Sequence, residues 1–189
     1  MSKQLGPKER ILETASRLFY SQGYNSTGIN QILEEAKVAK ASLYQHFGSK
    51  EDVGLEYLKA ARIEWFDGLE KWSGNKSTPL QKLNACFDFL EYNLRNNDYK
   101  GCKFINMLSE LADSGPAMRK QIVEHKTKLR DHLKSLVRDA IGKDSGKAEM
   151  IGDSVYLLFE GSIIESKIYK DVWPIKSAKK MIKNLLEEV

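Results

Sequence analysis

Apolar residues recur every three or four positions along almost the whole chain, and this spacing limits the fold more than any other feature. Ile11, Ala15, Leu18 and Phe19 fall on one face of a helix that follows Pro7. No segment shows the strict alternation of a strand. The pattern therefore predicts an all-α protein of about nine helices. The later predicted helices open near residue 27 and at about 39, and then cover 49–72, 79–95, 102–113, 117–141, 147–169 and 175–189.

Composition narrows the class further. Hydrophobic residues make up 41% of the chain and charged residues 30%, which suits a well-solvated surface around a real core. The only cysteines, Cys86 and Cys102, suit a reducing compartment and are too few for a disulfide framework or a structural zinc site. The N-terminal residues lack a signal-peptide pattern, and no apolar run approaches the roughly 20 residues that span a bilayer. We therefore expect a cytoplasmic protein without membrane, metal or cofactor.

The segment AKVAKASLYQHFGSK at 36–50 predicts a short helix with unusually few apolar residues. On a helical wheel Ala39, Leu43 and Phe47 share one arc, which can dock on the two preceding helices. His46 falls beside this arc, a position that favours packing over a phosphate contact. The opposite arc, which we call the reading face, consists of Lys40, Ala41, Ser42, Tyr44 and Gln45.

The chemistry of the reading face suits the DNA major groove. Gln45 can form two hydrogen bonds with adenine, while Ser42 and Tyr44 can reach phosphate oxygens. The small side chain of Ala41 lets the helix backbone approach the groove closely. Thr27, near the start of the preceding helix, can contact a phosphate. A helix, a short turn and a second helix that contacts bases form a helix-turn-helix. The alternative is an ordinary solvated face, which is common on short helices.

Residues 8–58 resemble the N-terminal domain of TetR-family transcriptional regulators. The resemblance rests on the A…LF…GY pattern of the first helix, Thr27, Val38, LYQHF and SKED. It implies a helix-turn-helix domain at 1–50, a ligand-binding and dimerising helical domain at 51–189, and double-stranded DNA as partner. It also implies a small-molecule effector. The DNA contacts that the resemblance implies are Thr27, Asn30, Lys40, Ala41, Ser42, Tyr44, Gln45, His46 and Lys50.

Two residues depart from the family pattern. Lys37 stands where the family usually has Gly, and Ala39 stands where Ser or Thr often caps the recognition helix. If Lys37 takes a positive φ, strain of roughly 1 kcal/mol is expected, because the left-handed region is unfavourable without Gly. Lys37 can instead supply a further phosphate contact.

The segment YKGCKFINMLSELADSGPAMRKQI resembles part of the C-terminal domain of some family members. Cys102, Asn106 and Glu110 share one helix edge and can line a mostly apolar pocket with a few polar groups. Alternatively, Asn106 and Glu110 bridge neighbouring helices, and the aromatic residues and His125 are plain core. The candidate ligand-binding residues are Trp65, Phe87, Cys102, Asn106, Glu110 and His125.

The helix at 147–169 is apolar on too many sides for the core of one monomer, and Gly161 and Ser162 permit close helix approach. Together with the helix at 175–189 it predicts a homodimer held by a four-helix bundle. A two-fold axis would place two recognition helices about 34 Å apart, which predicts a palindromic operator.

These features favour a repressor that a small apolar or amphipathic effector releases from its operator. An enzyme is the first alternative, but the sequence contains no Gly-rich phosphate loop, metal-ligand cluster or nucleophile elbow. A helical interaction protein without DNA binding is the second, and only Lys37 and Ala39 favour it.

Overall fold

The computed structural model describes residues 5–111, 115–142 and 146–187, and this part of the chain contains nine α-helices and no strand. The predicted all-α class is therefore confirmed. The last residues of the predicted helices 102–113 and 175–189 lie outside the described residues. The helices are α1 (Pro7–Gln22), α2 (Ile29–Ala36), α3 (Lys40–His46), α4 (Lys50–Ser73), α5 (Pro79–Asn96), α6 (Lys103–Glu110), α7 (Pro116–Ile141), α8 (Ala148–Tyr169) and α9 (Trp173–Glu187).

The chain divides into two compact units that do not follow the order of the sequence. Unit 1 consists of residues 1–63 and 102–123, and unit 2 consists of 64–101 and 124–189. The N-terminal helices thus share a unit with α6 and the beginning of α7. The division into 1–50 and 51–189 stays a prediction about function, because compactness groups residues by packing alone.

The core of unit 1 forms where α1, α2 and α3 meet. Ile11 and Ala15 of α1, Ile32 of α2 and Leu43 of α3 are completely buried, and Phe104 of α6 joins the same core. These are apolar positions that the helical spacing predicts. Their burial fixes which face of α3 is left for solvent.

The turn between α2 and α3 contains Lys37, which stands where the family pattern has Gly. Lys37 lies in the left-handed region with φ 53° and ψ 50°, so the condition under which strain is expected is met. Its N–H bonds to the carbonyl of Glu34, and the N–H of Val38 bonds to the carbonyl of Leu33, which is a Schellman motif. Arg10 donates from Nη1 to the Lys37 carbonyl at 3.2 Å and so holds the turn from α1.

Replacing Lys37 with Gly is expected to raise the free energy of unfolding by about 0.5–1 kcal/mol, because Gly occupies the left-handed region without steric cost. Urea unfolding measures this change. Lys37→Ala is the matched control, since it removes the same charge but keeps the Cβ. An equal gain from Lys37→Ala would show that charge, not backbone strain, is the cause.

Unit 2 is held together by the packing of α5, α8 and α9 and by ion pairs between α7 and α8. Lys126 lies 2.6 Å from Glu160, and Arg130 lies 2.8 Å from Asp153. The hydrogen bond from Arg130 lowers the pKa of Asp153 to about 2. Both pairs join α7 to the same side of α8, although the Arg130–Asp153 pair is largely exposed and contributes little to stability.

Both sides of α8 are apolar, as the sequence predicts. Ile151, Val155 and Phe159 are buried in unit 2. Leu157 and Ile168 on the other side are 66% and 64% exposed. Within the residues that the structure describes, every helix is too short or too polar to cross a lipid bilayer.

Candidate nucleic-acid interface

The reading face of α3 points to solvent. Lys40, Ala41 and Gln45 are exposed, Ser42 is half-buried, and Tyr44 is 50% exposed. A large aromatic side chain so exposed on a short helix contributes little to the core, so its position needs another explanation. The structure therefore brings together five of the residues expected to contact DNA.

The opposite side of α3 holds the helix in place. Leu43 is fully buried, Phe47 is 3% exposed, and the Phe47 N–H bonds to the Leu43 carbonyl at 2.6 Å. Ala39, assigned to this docking arc from the sequence, lies before the first turn and is exposed. The helix begins at Lys40, one residue later than the wheel assumed, and two apolar side chains are enough to anchor it.

Two sequence expectations need correction. Thr27 is completely buried, and its hydroxyl donates to the Gly23 carbonyl at 2.7 Å, so the side chain is not available to a phosphate. His46 was expected to pack but is exposed at the end of α3. Because Phe47 fills the space beneath the helix, His46 turns outward and a phosphate contact becomes the better prediction. Asn30 is exposed near the start of α2, as a DNA contact requires.

Lys50, the last of the predicted phosphate contacts along the chain, is the first residue of α4. Its Nζ lies 4.4 Å from the centre of the Tyr24 ring. Burial lowers the pKa of Lys50, and the Glu110 carboxylate opposes this shift. Ser49 caps the same helix by accepting from the Asp52 N–H at 3.1 Å.

Glu110 bonds to the turn between α1 and α2 and so is not a simple pocket residue. Its Oε2 accepts from the Asn25 N–H at 2.6 Å, and its carbonyl accepts from Asn25 Nδ2 at 2.8 Å. The sequence alternative in which Glu110 bridges neighbouring elements describes this geometry. The two residues are 85 positions apart, and the segment that contains Glu110 suggests a pocket edge instead, so no local pattern could have paired them.

A second candidate site is an aromatic cluster in unit 2. The ring of Trp65 lies 6.5 Å from that of His125 and 6.3 Å from that of Phe159, and Phe87 lies 5.0 Å from Phe159. Three of the six predicted ligand-binding residues therefore belong to one cluster, in which Trp65 and Phe87 contact Phe159 and His125 contacts Trp65. The Trp65 Nε1 is buried and has no hydrogen-bond partner in the described part of the chain.

The other three predicted ligand-binding residues lie on α6 or immediately before it, in unit 1. Cys102 is the N-cap of α6 and is half-buried, as is Asn106 one turn later. Cys86, in unit 2, is buried, and this burial raises the pKa of its thiol to about 12. Such a thiol stays protonated at neutral pH, which makes Cys86 a packing residue.

Comparison with known proteins agrees with this arrangement. Residues 11–57 match the family described as bacterial regulatory proteins of the tetR family, and residues 79–182 match the tetracyclin repressor-like C-terminal domain. The transcriptional regulator LmrA of Bacillus subtilis is 26% identical over 188 residues, which cover 95% of this chain and 96% of LmrA. The repressor NemR of Escherichia coli is 21% identical over 187 residues, and this match covers 95% of this chain and 93% of NemR.

The crystal structure of SCO4454 from Streptomyces coelicolor, a TetR-family transcriptional regulator, superimposes with a TM-score of 0.86. It is 25% identical in sequence, and the match covers 97% of this chain and 89% of SCO4454. The likeness therefore includes both the helix-turn-helix and the helices that follow it.

Proposed function

Because the chain belongs to the TetR family of DNA-binding transcriptional regulators, we propose that it is a repressor. In this proposal a small apolar or amphipathic effector releases it from a palindromic operator. Regulators of this family are dimeric, bind DNA operators and small effectors, and are not enzymes. NemR carries the name of a repressor, which supports this direction of control over activation. Its place of action is the cytoplasm, where the DNA lies.

The observation that carries the proposal is the division of α3 into a buried and an exposed side. Leu43 and Phe47 fix the helix, and Tyr44 and Gln45 extend from the opposite side. We propose that Gln45, with Asn30, contacts bases. The polar side chains of Lys40, Ser42 and Tyr44 contact phosphates, as do His46 and Lys50. Ala41 lets the helix approach the groove closely.

A homodimer that forms through α8 and α9 presents one α3 to each half of the operator. The exposed apolar residues of these helices border a groove of about 470 Å³ that includes Leu157, Trp173 and Met181. A second copy that covers this face would remove its apolar surface from water. The resulting two-fold axis explains why we expect two half-sites about one duplex turn apart.

We propose that the effector binds among the aromatic residues of unit 2, with Trp65, Phe87 and His125 as contacts. The buried Trp65 N–H favours an effector that carries a hydrogen-bond acceptor on an otherwise apolar skeleton. Cys102 and Asn106, in unit 1, stay separate predictions from the sequence. Glu110 leaves it, because its carboxylate already bonds to Asn25. Effector binding then needs only a higher affinity for the DNA-free conformation to cause release.

A release experiment tests the proposal. Wild-type protein first selects its operator from a random duplex library, and apolar compounds with one acceptor group are then titrated into the complex. We expect at least one compound class to weaken operator binding about tenfold or more, within the usual range of allosteric coupling. Trp65→Phe keeps an aromatic side chain but removes the N–H together with the pyrrole ring of the indole, and should reduce the response. Release that is unchanged in Trp65→Phe would contradict the proposed contact.

A further inference from the structure

A contact within unit 1 joins the end of α6 to the turn between α1 and α2, away from the reading face. We propose that Glu110 is a positioning residue for DNA binding: its hold on the turn at 23–25 fixes where α2 begins. The inference rests on the proposed function only in that α3 binds a specific operator. Glu110 itself touches no DNA in this proposal.

The contact consists of two hydrogen bonds, and Asn25 is the donor in both. The Asn25 N–H donates to Glu110 Oε2 at 2.6 Å, and Asn25 Nδ2 donates to the Glu110 carbonyl at 2.8 Å. Glu110 is the last residue of α6, so its carbonyl is one that the helix itself leaves without a partner. Asn25 thus satisfies two acceptors of Glu110, and one of them is the charged carboxylate.

Gly23 lies directly beside the same contact. It has φ 97°, a conformation that disfavours any residue with a side chain. A Cβ built on it would lie 2.7 Å from Glu110 Oε1, so a side chain at position 23 would also displace the Glu110 carboxylate.

The turn is directly connected to the DNA-binding helices. The buried hydroxyl of Thr27 donates to the Gly23 carbonyl at 2.7 Å, and α2 begins at Ile29. The helix α2 packs on α1 and α3 within unit 1. A loosened turn would have to be ordered again when α3 enters the groove, and this ordering reduces affinity.

The negative charge of Glu110 reduces DNA affinity, whereas its hydrogen bonds to Asn25 increase it. The carboxylate attracts Lys50, which we propose as a phosphate contact, and it repels DNA. Glu110→Gln removes the charge but keeps an oxygen that can accept from the Asn25 N–H. Glu110→Ala removes both. The two variants therefore separate positioning from electrostatics.

The test measures operator affinity by fluorescence anisotropy, and amide hydrogen exchange at Asn25 by NMR. For Glu110→Ala we expect the Kd for the selected operator to rise about tenfold and the Asn25 amide to exchange about tenfold faster, which is the effect of one charge-assisted hydrogen bond. Glu110→Gln should stay within about twofold of the wild-type Kd or bind more tightly. Glu13→Ala, which removes an exposed carboxylate from α1, should leave Asn25 exchange unchanged.

Asn25→Ala is the second variant. It removes the Nδ2 bond from an exposed side chain, with little risk to folding, and should raise the Kd about threefold. If Glu110→Ala and Glu110→Gln bind the operator equally well, Glu110 acts through charge alone and the inference is overturned. If wild-type protein selects no operator, the proposed function fails instead. Asn25 exchange then still shows whether Glu110 holds the turn.

Discussion

Alanine at both Tyr44 and Gln45 is expected to remove specific operator binding while the protein stays folded. The pair is exposed on α3, so neither side chain contributes much to the core of unit 1. A Gln–adenine pair contributes about 1–3 kcal/mol of discrimination, and a phosphate contact adds roughly 1 kcal/mol. Together they correspond to a loss of about 100-fold in operator affinity, with weaker effects on random DNA.

Anisotropy titrations with the selected operator and with a scrambled duplex measure this difference, and thermal unfolding checks the fold. Tyr92→Ala is the control, because Tyr92 is 51% exposed on α5, far from α3 in the sequence. Gln45→Ala alone should relax preference at one base pair per half-site, whereas Tyr44→Ala alone should weaken binding to all duplexes alike. Retained preference for the operator in the double variant would remove α3 from the proposed DNA contacts.

The helices and the two sides of α3 could be predicted from the sequence because both depend on local spacing. Leu43 and Phe47 share one arc whatever the rest of the chain does, and Tyr44 and Gln45 then face away from them. The sequence also raises a positive φ at Lys37 as one option, because the family pattern places Gly there. The Schellman motif requires that conformation.

Contacts that depend on how the chain packs could not be predicted in the same way. Thr27 is predicted to contact a phosphate because helical spacing does not show that its hydroxyl donates to the Gly23 carbonyl. His46 is predicted to pack because the wheel does not show that Phe47 fills the space below α3. Glu110 matched a pocket segment, yet its partner Asn25 lies 85 residues away, and the pairing depends on how α6 returns to α1.

A glutamate in place of Leu157 is expected to separate the dimer that we propose. Leu157, Ile164 and Ile168 are exposed on one side of α8, and Trp173 and Met181 are exposed on α9. Leu157 is 66% exposed in the single chain, so the substitution costs little in folding. In a dimer the two-fold axis would bury two carboxylates in an apolar bundle, and an unpaired buried charge costs several kcal/mol.

The dimer Kd should therefore rise at least about 100-fold, which sedimentation velocity over a concentration series measures. Val123→Glu is the matched control, since Val123 is 57% exposed on α7 and lies outside the proposed interface. The Leu157 variant should also lose affinity for a full palindrome, while its affinity for a half-site stays the same, because α3 is unaltered. This difference separates loss of the dimer from damage to the reading face. A Leu157→Glu protein that stays dimeric would place the interface on another surface.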